Sequence, residues 1–512
     1  MTAPNPLSPG NTSRRGAVAV TSLVAGVLVA LSVPPWGFWI LGPAGMAVLT
    51  WRLALLSAGR GRFVAGLAFG IGQLGLTLFW MTEFHAIGFG AVVVAEAGFF
   101  AVACLALPGG RGPHRLVALP AVMVLAEAAR GVVPFGGLPM GGVALGQAAG
   151  PLAPVARLGG PLLLVGVVAA FGVAVALIGR RRLRPAAVLV ASLALVVVLG
   201  GVAPAGSVRS TIDVAVVQGG GPRGYRAVES DADAVYERHV AIGQQLEPPL
   251  DLVLWPENAI DVDTIEGSPE AADLGALAAR LRATVVAGVT QETGLDRFRN
   301  DAVAWGPDGT IVDLYTKAHR VPFGEYVPAR SLFEKLGDLS GLPRDAVAGQ
   351  GPGVLDTPAG RLGVAISFEV FFSERALAAV RSGGEVLLVP TNASSYTTSQ
   401  VPTQEMAAAQ LQAWSTGRWV VASAPTGYGA IVDHRGRVRQ RTTLGRAETL
   451  VGRVDLRRGS TPYARLGDPP IVALALVVLA GAWLSRRSTR HTMRPMASSP
   501  ISSPAEKRSE AK

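Results

Sequence analysis

Eight stretches of the chain are apolar for long enough to read as membrane-spanning helices: residues 17–33, 38–56, 63–81, 89–107, 116–129, 159–178, 185–202 and 470–484. The first lacks a small-residue cleavage site and is too long for a removed leader, so it is read as an anchor. After the seventh run the pattern changes. Short β-branched runs such as "TIDVAVVQ", "LDLVLWPENA", "ATVVAGVTQ", "LGVAISFE" and "GEVLLVPTN" alternate with polar stretches and with helical segments at 270–282 and 404–414. That alternation predicts a sheet covered by helices, an α/β domain over 207–457. Residues 486–512 are rich in Ser, Pro and charge and predict a disordered tail.

Composition sharpens this. Half of the 512 residues are hydrophobic and the mean hydropathy is +0.39, more apolar than a water-soluble domain of this length needs. The net charge of +10 is set by topology rather than by a nucleic-acid surface, for which clustered basic and aromatic residues would be required. Arg14 and Arg15 precede the first run, Arg52, Arg60 and Arg62 surround the second loop, and Arg111 and Arg115 lie in the fourth. Arg180, Arg181, Arg182 and Arg184 lie in the sixth, and Arg486, Arg487, Arg490 and Arg494 follow the last run; loops one and three have no Lys or Arg, and loop five has Arg130 and Arg157. The positive-inside rule then puts residues 1–16, the even loops and 486–512 in the cytoplasm. The helical region 17–203 and a last span at 469–485 bracket an outer domain.

Candidate chemistry is confined to that outer domain. Cys104 is the one cysteine; it lies near the cytoplasmic end of the fourth run, where it reads as a small buried hydrophobe, and it excludes a disulfide, a zinc cluster and a redox pair. Four lysines stand against 42 arginines, which makes Lys317 more informative than usual. Three strand ends present reactive groups: Glu257 in "LVLWPENA", Lys317 and Glu325 in "YTKAHRVPFGEYVP", and Ser367 and Glu369 in "GVAISFE". Singly, each has a plain reading: a solvated carboxylate, a surface lysine, a turn serine, a local acceptor. Together at one sheet edge they offer a base, a cation for an oxyanion and a nucleophile.

The order "WPE", "YTKAHRVPFGEYVP" and a strand ending before "FE" resembles the nitrilase (carbon-nitrogen hydrolase) superfamily, with its Glu-Lys-Cys triad. Seven spans, an outer domain of that kind and one last span resemble the apolipoprotein N-acyltransferase family. "EAARGVVPFGGLPMGGVALGQ", residues 127–147, is similar to that family's membrane-domain signature. The resemblance implies an α-β-β-α sandwich outside a bundle of about eight helices. It makes Glu257 the general base, Lys317 the oxyanion-stabilising cation and Ser367 the nucleophile, supported by Glu325 and Glu369. It also implies a monomer without metal or organic cofactor, which takes an acyl chain from a phospholipid and passes it to the α-amine of a diacylated apolipoprotein.

Several positions depart from the family pattern. Ser367 stands at the cysteine position. Asn392-Ala393-Ser394-Ser395 replaces an asparagine-aspartate-alanine-tryptophan run, Ser415 an acidic residue, Pro425 an asparagine and Met140 a tryptophan. A thiol with pKa near 8.5 is partly ionised at neutral pH, whereas a serine hydroxyl needs a true base in the transition state. An uncharged Lys317 is one candidate for it. Two alternatives follow: a non-catalytic member that binds lipid or lipoprotein or supports a partner, and a tethered small-amide hydrolase.

Overall fold

The computed structural model describes residues 9–109, 114–224, 232–294, 296–335 and 344–491. Among these residues, seven α-helices come first: α1 (Pro9–Ser32), α2 (Leu41–Leu55), α3 (Gly59–Thr77), α4 (Ala86–Ala106), α5 (His114–Arg130), α6 (Ala156–Gly179) and α7 (Leu183–Val202). α3 is glycine-rich because its neighbours approach its backbone. A Cβ on Gly72 would stand 2.2 Å from the Leu23 carbonyl of α1, and one on Gly66 would stand 2.3 Å from the Phe100 carbonyl of α4. Small residues of this kind let apolar helices pack closely. Arg130 is fully buried among them, paired with Glu96 at 2.7 Å and Glu127 at 2.8 Å.

Among the described residues, four helical segments are long and apolar enough to cross a membrane: Ala86–Ala106, Ala153–Gly179, Leu183–Val202 and Pro469–Arg486. Gly16–Ser32 and Leu41–Leu55 are shorter apolar helices. The helix expected over 63–81 stops at Thr77 and gives way to a 3₁₀ turn, Phe79–Glu83. The last helix runs to His491, so residues 486–491 of the expected disordered tail continue an apolar helix with regular hydrogen bonding; 492–512 lie outside the described residues.

The segment after α7 forms two sheets. The first has the order β14–β1–β2–β4–β5–β6, from Glu448–Arg458, Ser207–Gln218, Leu252–Leu254, Thr284–Glu292, Arg297–Trp305 and Ile311–Thr316; β3 (Ile260–Val262) pairs with β4 and β7 (Asp345–Ala346) with β5. The second has the order β13–β12–β11–β10–β9–β8, from Val438–Arg441, Ala430–Val432, Val420–Ser423, Val386–Pro390, Gly360–Val364 and Val354–Thr357. In the second half of β1, from Val214 on, both faces are buried. Val214 and Val216 enter the layer between the sheets with Leu254, Val364, Ile366 and Leu388. Ala215 and Val217, one residue out of phase, enter the layer under the helices Ala232–Gly243 (α8) and Pro269–Leu281 (α9). α9 is bounded as its sequence dictates: Ser268 accepts the Ala271 N–H, Pro269 opens the helix, and Arg282 ends it in a left-handed conformation.

The outer face of the second sheet carries two helices, Ser373–Arg381 and Gln400–Thr416, and these share one continuous apolar core with the bundle. Gln400 accepts from Trp80 N and donates to Leu76 O; Gln404, one turn on, accepts from Gly141 N and donates to Thr77 O, all at 2.9 Å. Leu76 and Thr77 are the last carbonyls of α3, which a helix cannot satisfy internally. The two glutamines supply the missing donors, and α3 ends there.

Candidate active site

Parallel strands of both sheets bring their carboxyl ends to one edge, where α/β proteins place ligands. Glu257 follows β2, Lys317 follows β6 and Ser367 follows β9 by two residues. Glu257 is drawn in close to β4, where a Cβ on Gly288 would lie 2.4 Å from its Cα. Lys317 Nζ donates to Glu257 Oε1 and to Glu325 Oε1, both at 2.8 Å, and the lysine is 2% exposed. Asn300 Nδ2 bridges the same two oxygens at 2.8 and 3.0 Å. Glu325 Oε2 accepts the Val321 N–H at 2.7 Å, which closes the Gly/Pro-rich turn around the lysine.

Burial alone would lower the Lys317 pKa, but Glu257 and Glu325 outweigh it and hold the group above the ordinary lysine value. The ammonium is therefore kept at neutral pH, and no neutral amine is left to act as a base toward serine. Two of its three N–H bonds go to the carboxylates, which leaves one for an oxyanion.

Ser367 sits at the turn between β9 and a 3₁₀ turn, Ser367–Phe371, with φ +50°, a conformation that a residue with a Cβ adopts at a cost of about 1–3 kcal/mol. Glu369 holds it there. Its Oε2 accepts the Ile366 N–H at 2.9 Å, and its Oε1 accepts the N–H groups of Ala318 at 2.9 Å and His319 at 2.8 Å. One buried carboxylate thus ties the Ser367 turn to the backbone just past Lys317. Tyr315 donates to the same carboxylate at 2.9 Å and accepts from Arg375 at 2.7 Å. Burial pushes the Glu369 carboxyl up from its usual range, against Arg375 and these N–H bonds.

The five residues singled out from sequence fall into two groups. Glu257 and Glu325 each touch Lys317, whereas Glu369 faces the backbone of the turn that carries Ser367. Among the described residues, the hydrogen-bond partner of the Ser367 hydroxyl is Thr391 Oγ1 at 3.3 Å, and Thr391 in turn donates to Glu405 Oε1 at 2.7 Å. Asn300, Thr391 and Glu405 were missed. Thr391 directly follows β10, the parallel neighbour of β9, so its place at the edge was readable; Glu405 in "QEMAAAQLQ" carries no such signal. Cys104 is fully buried in the bundle core.

The carbon-nitrogen hydrolase family model matches residues 213–462, the two sheets and their helices. The model for the apolipoprotein N-acyltransferase N-terminal domain matches residues 25–174, most of the bundle. The chain belongs to the apolipoprotein N-acyltransferase family. Apolipoprotein N-acyltransferases similar to it span nearly its full length: one from Photobacterium profundum is 26% identical over 91% of this chain and 95% of its own. Those from Azotobacter vinelandii and Mycolicibacterium smegmatis are each 29% identical, over 92% and 90% of this chain and 95% and 83% of theirs. Membership is thus carried by both halves, and it brings the acyltransferase class of chemistry to the site built above.

Proposed function

We propose that this chain N-acylates lipoproteins, moving an acyl chain from a phospholipid to the N-terminal amine of a diacylglyceryl-cysteine through an acyl ester on Ser367. The observation that carries this reading is the ammonium of Lys317, clamped between two carboxylates, with the backbone just past it tied through Glu369 to the strained turn that holds Ser367. In the first step Ser367 attacks the phospholipid ester and Lys317 faces the oxyanion. In the second the acceptor amine attacks the acyl ester, and Glu257 takes the proton that the amine gives up. Glu325 and Asn300 orient Lys317, and Glu369 positions the turn. The chemistry calls on no metal or organic cofactor.

A mostly apolar cavity of ≈ 230 Å³, with Glu127, Glu374 and Asp468 also in its wall, supports delivery of an aliphatic donor. It lies between Phe371 and Phe372 of the nucleophile turn and Val132, Pro161 and Val165 of the bundle. The arginine pattern supports eight spans with both termini cytoplasmic and residues 207–457 outside; a monomer in the bacterial plasma membrane completes the proposal. The non-catalytic and amide-hydrolase readings have no observation of their own in their favour.

The test is acylation of a diacylated peptide by the purified protein in phospholipid micelles, with mass spectrometry of the Ser367 peptide. Wild type is expected to carry an acyl ester and form the triacylated product, and Ser367→Ala to do neither. Equal activity of the two proteins, or none in either, would sink the acyl-serine route. Ser367→Cys is expected to be faster than wild type, because a thioester yields to an amine more readily than an oxyester.

A further inference from the structure

A serine nucleophile needs a proton acceptor within reach, and the Glu257–Lys317–Glu325 cluster makes no hydrogen bond to Ser367 among the described residues. Both bonds that Glu257 receives, from Lys317 and Asn300, fall on its Oε1. The hydroxyl of Ser367 instead lies against Thr391, and Thr391 lies against Glu405. Thr391 has one hydrogen to give. The 2.7 Å contact with a carboxylate is charge-assisted and shorter than the 3.3 Å contact with Ser367, so the hydrogen goes to Glu405. The lone pairs of Thr391 Oγ1 then face the Ser367 hydroxyl as an acceptor. All three side chains are nearly sealed from water, at 9%, 3% and 8% exposure, so bulk solvent does not compete for the proton.

We propose that Ser367, Thr391 and Glu405 form a proton relay that activates the serine for attack on the phospholipid ester. As the bond from Ser367 Oγ to the carbonyl carbon forms, the Ser367 hydrogen passes to Thr391 Oγ1 and the Thr391 hydrogen passes to Glu405. The ester carbon–oxygen bond then breaks, the departing glycerol oxygen takes a hydrogen from Thr391, and Thr391 recovers one from Glu405. The carboxylate is regenerated, and the products are acyl-Ser367 and a lysophospholipid. Thr391 touches the reacting oxygen; Glu405 acts through Thr391. The relay rests on the acyl-serine reading above and leaves Glu257 free for the amine in the second step.

The setting of Glu405 suits this role. Desolvation raises its carboxyl to about 7, opposed by the Thr391 hydrogen bond, with Glu257 adding to the rise and Lys317 opposing it; Tyr396 is the other titratable group that it faces. A carboxylate of that basicity is a far better acceptor than one near 4.3, because an acceptor works best with a pKa near the working pH. Below about pH 7 the group is protonated and the relay is blocked, so acylation is expected to fall as the pH drops through this range. The arrangement also matches the nucleophile: a thiol, partly ionised by itself, has little use for the relay.

The experiment is single-turnover release of lysophospholipid by the full-length protein in phosphatidylethanolamine vesicles, followed from pH 5.5 to 9. Glu405→Gln and Thr391→Val are expected to slow release by about 10²-fold or more and to remove the limb near pH 7. Thr391→Ser restores most of what Thr391→Val loses. In a Ser367→Cys background the two substitutions cost only a few fold. Equal losses in both backgrounds would show a packing role and overturn the relay, as would a pH limb that survives in Glu405→Gln. If Ser367→Ala abolishes release while Thr391→Val and Glu405→Gln keep the wild-type rate, the relay alone fails. If Ser367→Ala is as active as wild type, the acyl-serine route fails with it.

Discussion

At the scale of single residues, the site is a set of buried charges that make sense only together. Asn300 is the hinge of the set, since its one amide group satisfies both carboxylates that hold Lys317. Removing a buried hydrogen-bond partner costs about 1–3 kcal/mol, and at the reacting centre that becomes about ten- to a hundredfold in rate. Asn300→Ala is therefore expected to lower turnover by that much while leaving the protein folded, and steady-state acylation kinetics beside a thermal melt would separate the two. Lys317→Met is a harsher change. It leaves Glu257 and Glu325 buried without a counter-charge, with an expected loss of about 3–5 kcal/mol of stability, read by denaturant unfolding; an unaltered midpoint would mean that the pair is better solvated than its burial implies. The strand ends made Glu257, Lys317 and Ser367 visible in sequence, because an apolar run that stops at a polar residue marks a sheet edge. Asn300 was hidden for the opposite reason. It sits within a nine-residue strand, where a polar residue normally faces solvent, and only the fold turns it inward.

At the scale of elements, periodicity told most of the story, and its errors have physical causes. α3 falls short of its apolar run because Gln400 and Gln404 cap its last carbonyls, contacts 324 and 327 residues away that no local pattern announces. α8 shows a different dependence on its partners. Its His239 is fully buried, accepting from Gly219 N at 3.1 Å through Nε2 and donating to Val235 O at 2.7 Å through Nδ1, so only the neutral tautomer fits. Burial lowers its pKa to about 4, against an ordinary value near 6.5. Between those values the unfolded chain binds a proton that the folded one refuses. This contribution is thus fully present above about pH 6.5 and is lost as the pH falls toward 4, at about 1.4 kcal/mol per unit. Melting temperatures taken across that window are expected to fall more steeply in wild type than in His239→Gln; parallel curves would show that the imidazole is not what titrates.

At the scale of the whole molecule, two halves of different solvent preference share one apolar core, and the arginine pattern assigns each loop a side. A cysteine scan tests that assignment cleanly, because Cys104 is buried and silent. Glu266→Cys, exposed on the sandwich, is expected to react with a membrane-impermeant maleimide in intact cells, and Arg181→Cys only after the cells are opened. Labelling of Arg181→Cys from outside would invert the topology. The lone thiol has a further consequence once it is set beside Ser367. Thiol nucleophiles climb an oxidation ladder to sulfenic and then irreversible sulfinic acid, and the space outside the plasma membrane has little reducing power to bring them back. A hydroxyl has no such ladder. If Ser367 carries the acyl group as proposed, this chain is expected to keep its activity under hydrogen peroxide or iodoacetamide, whereas the Ser367→Cys variant loses it, so a hydroxyl at this position is one that oxidants and alkylating agents cannot poison.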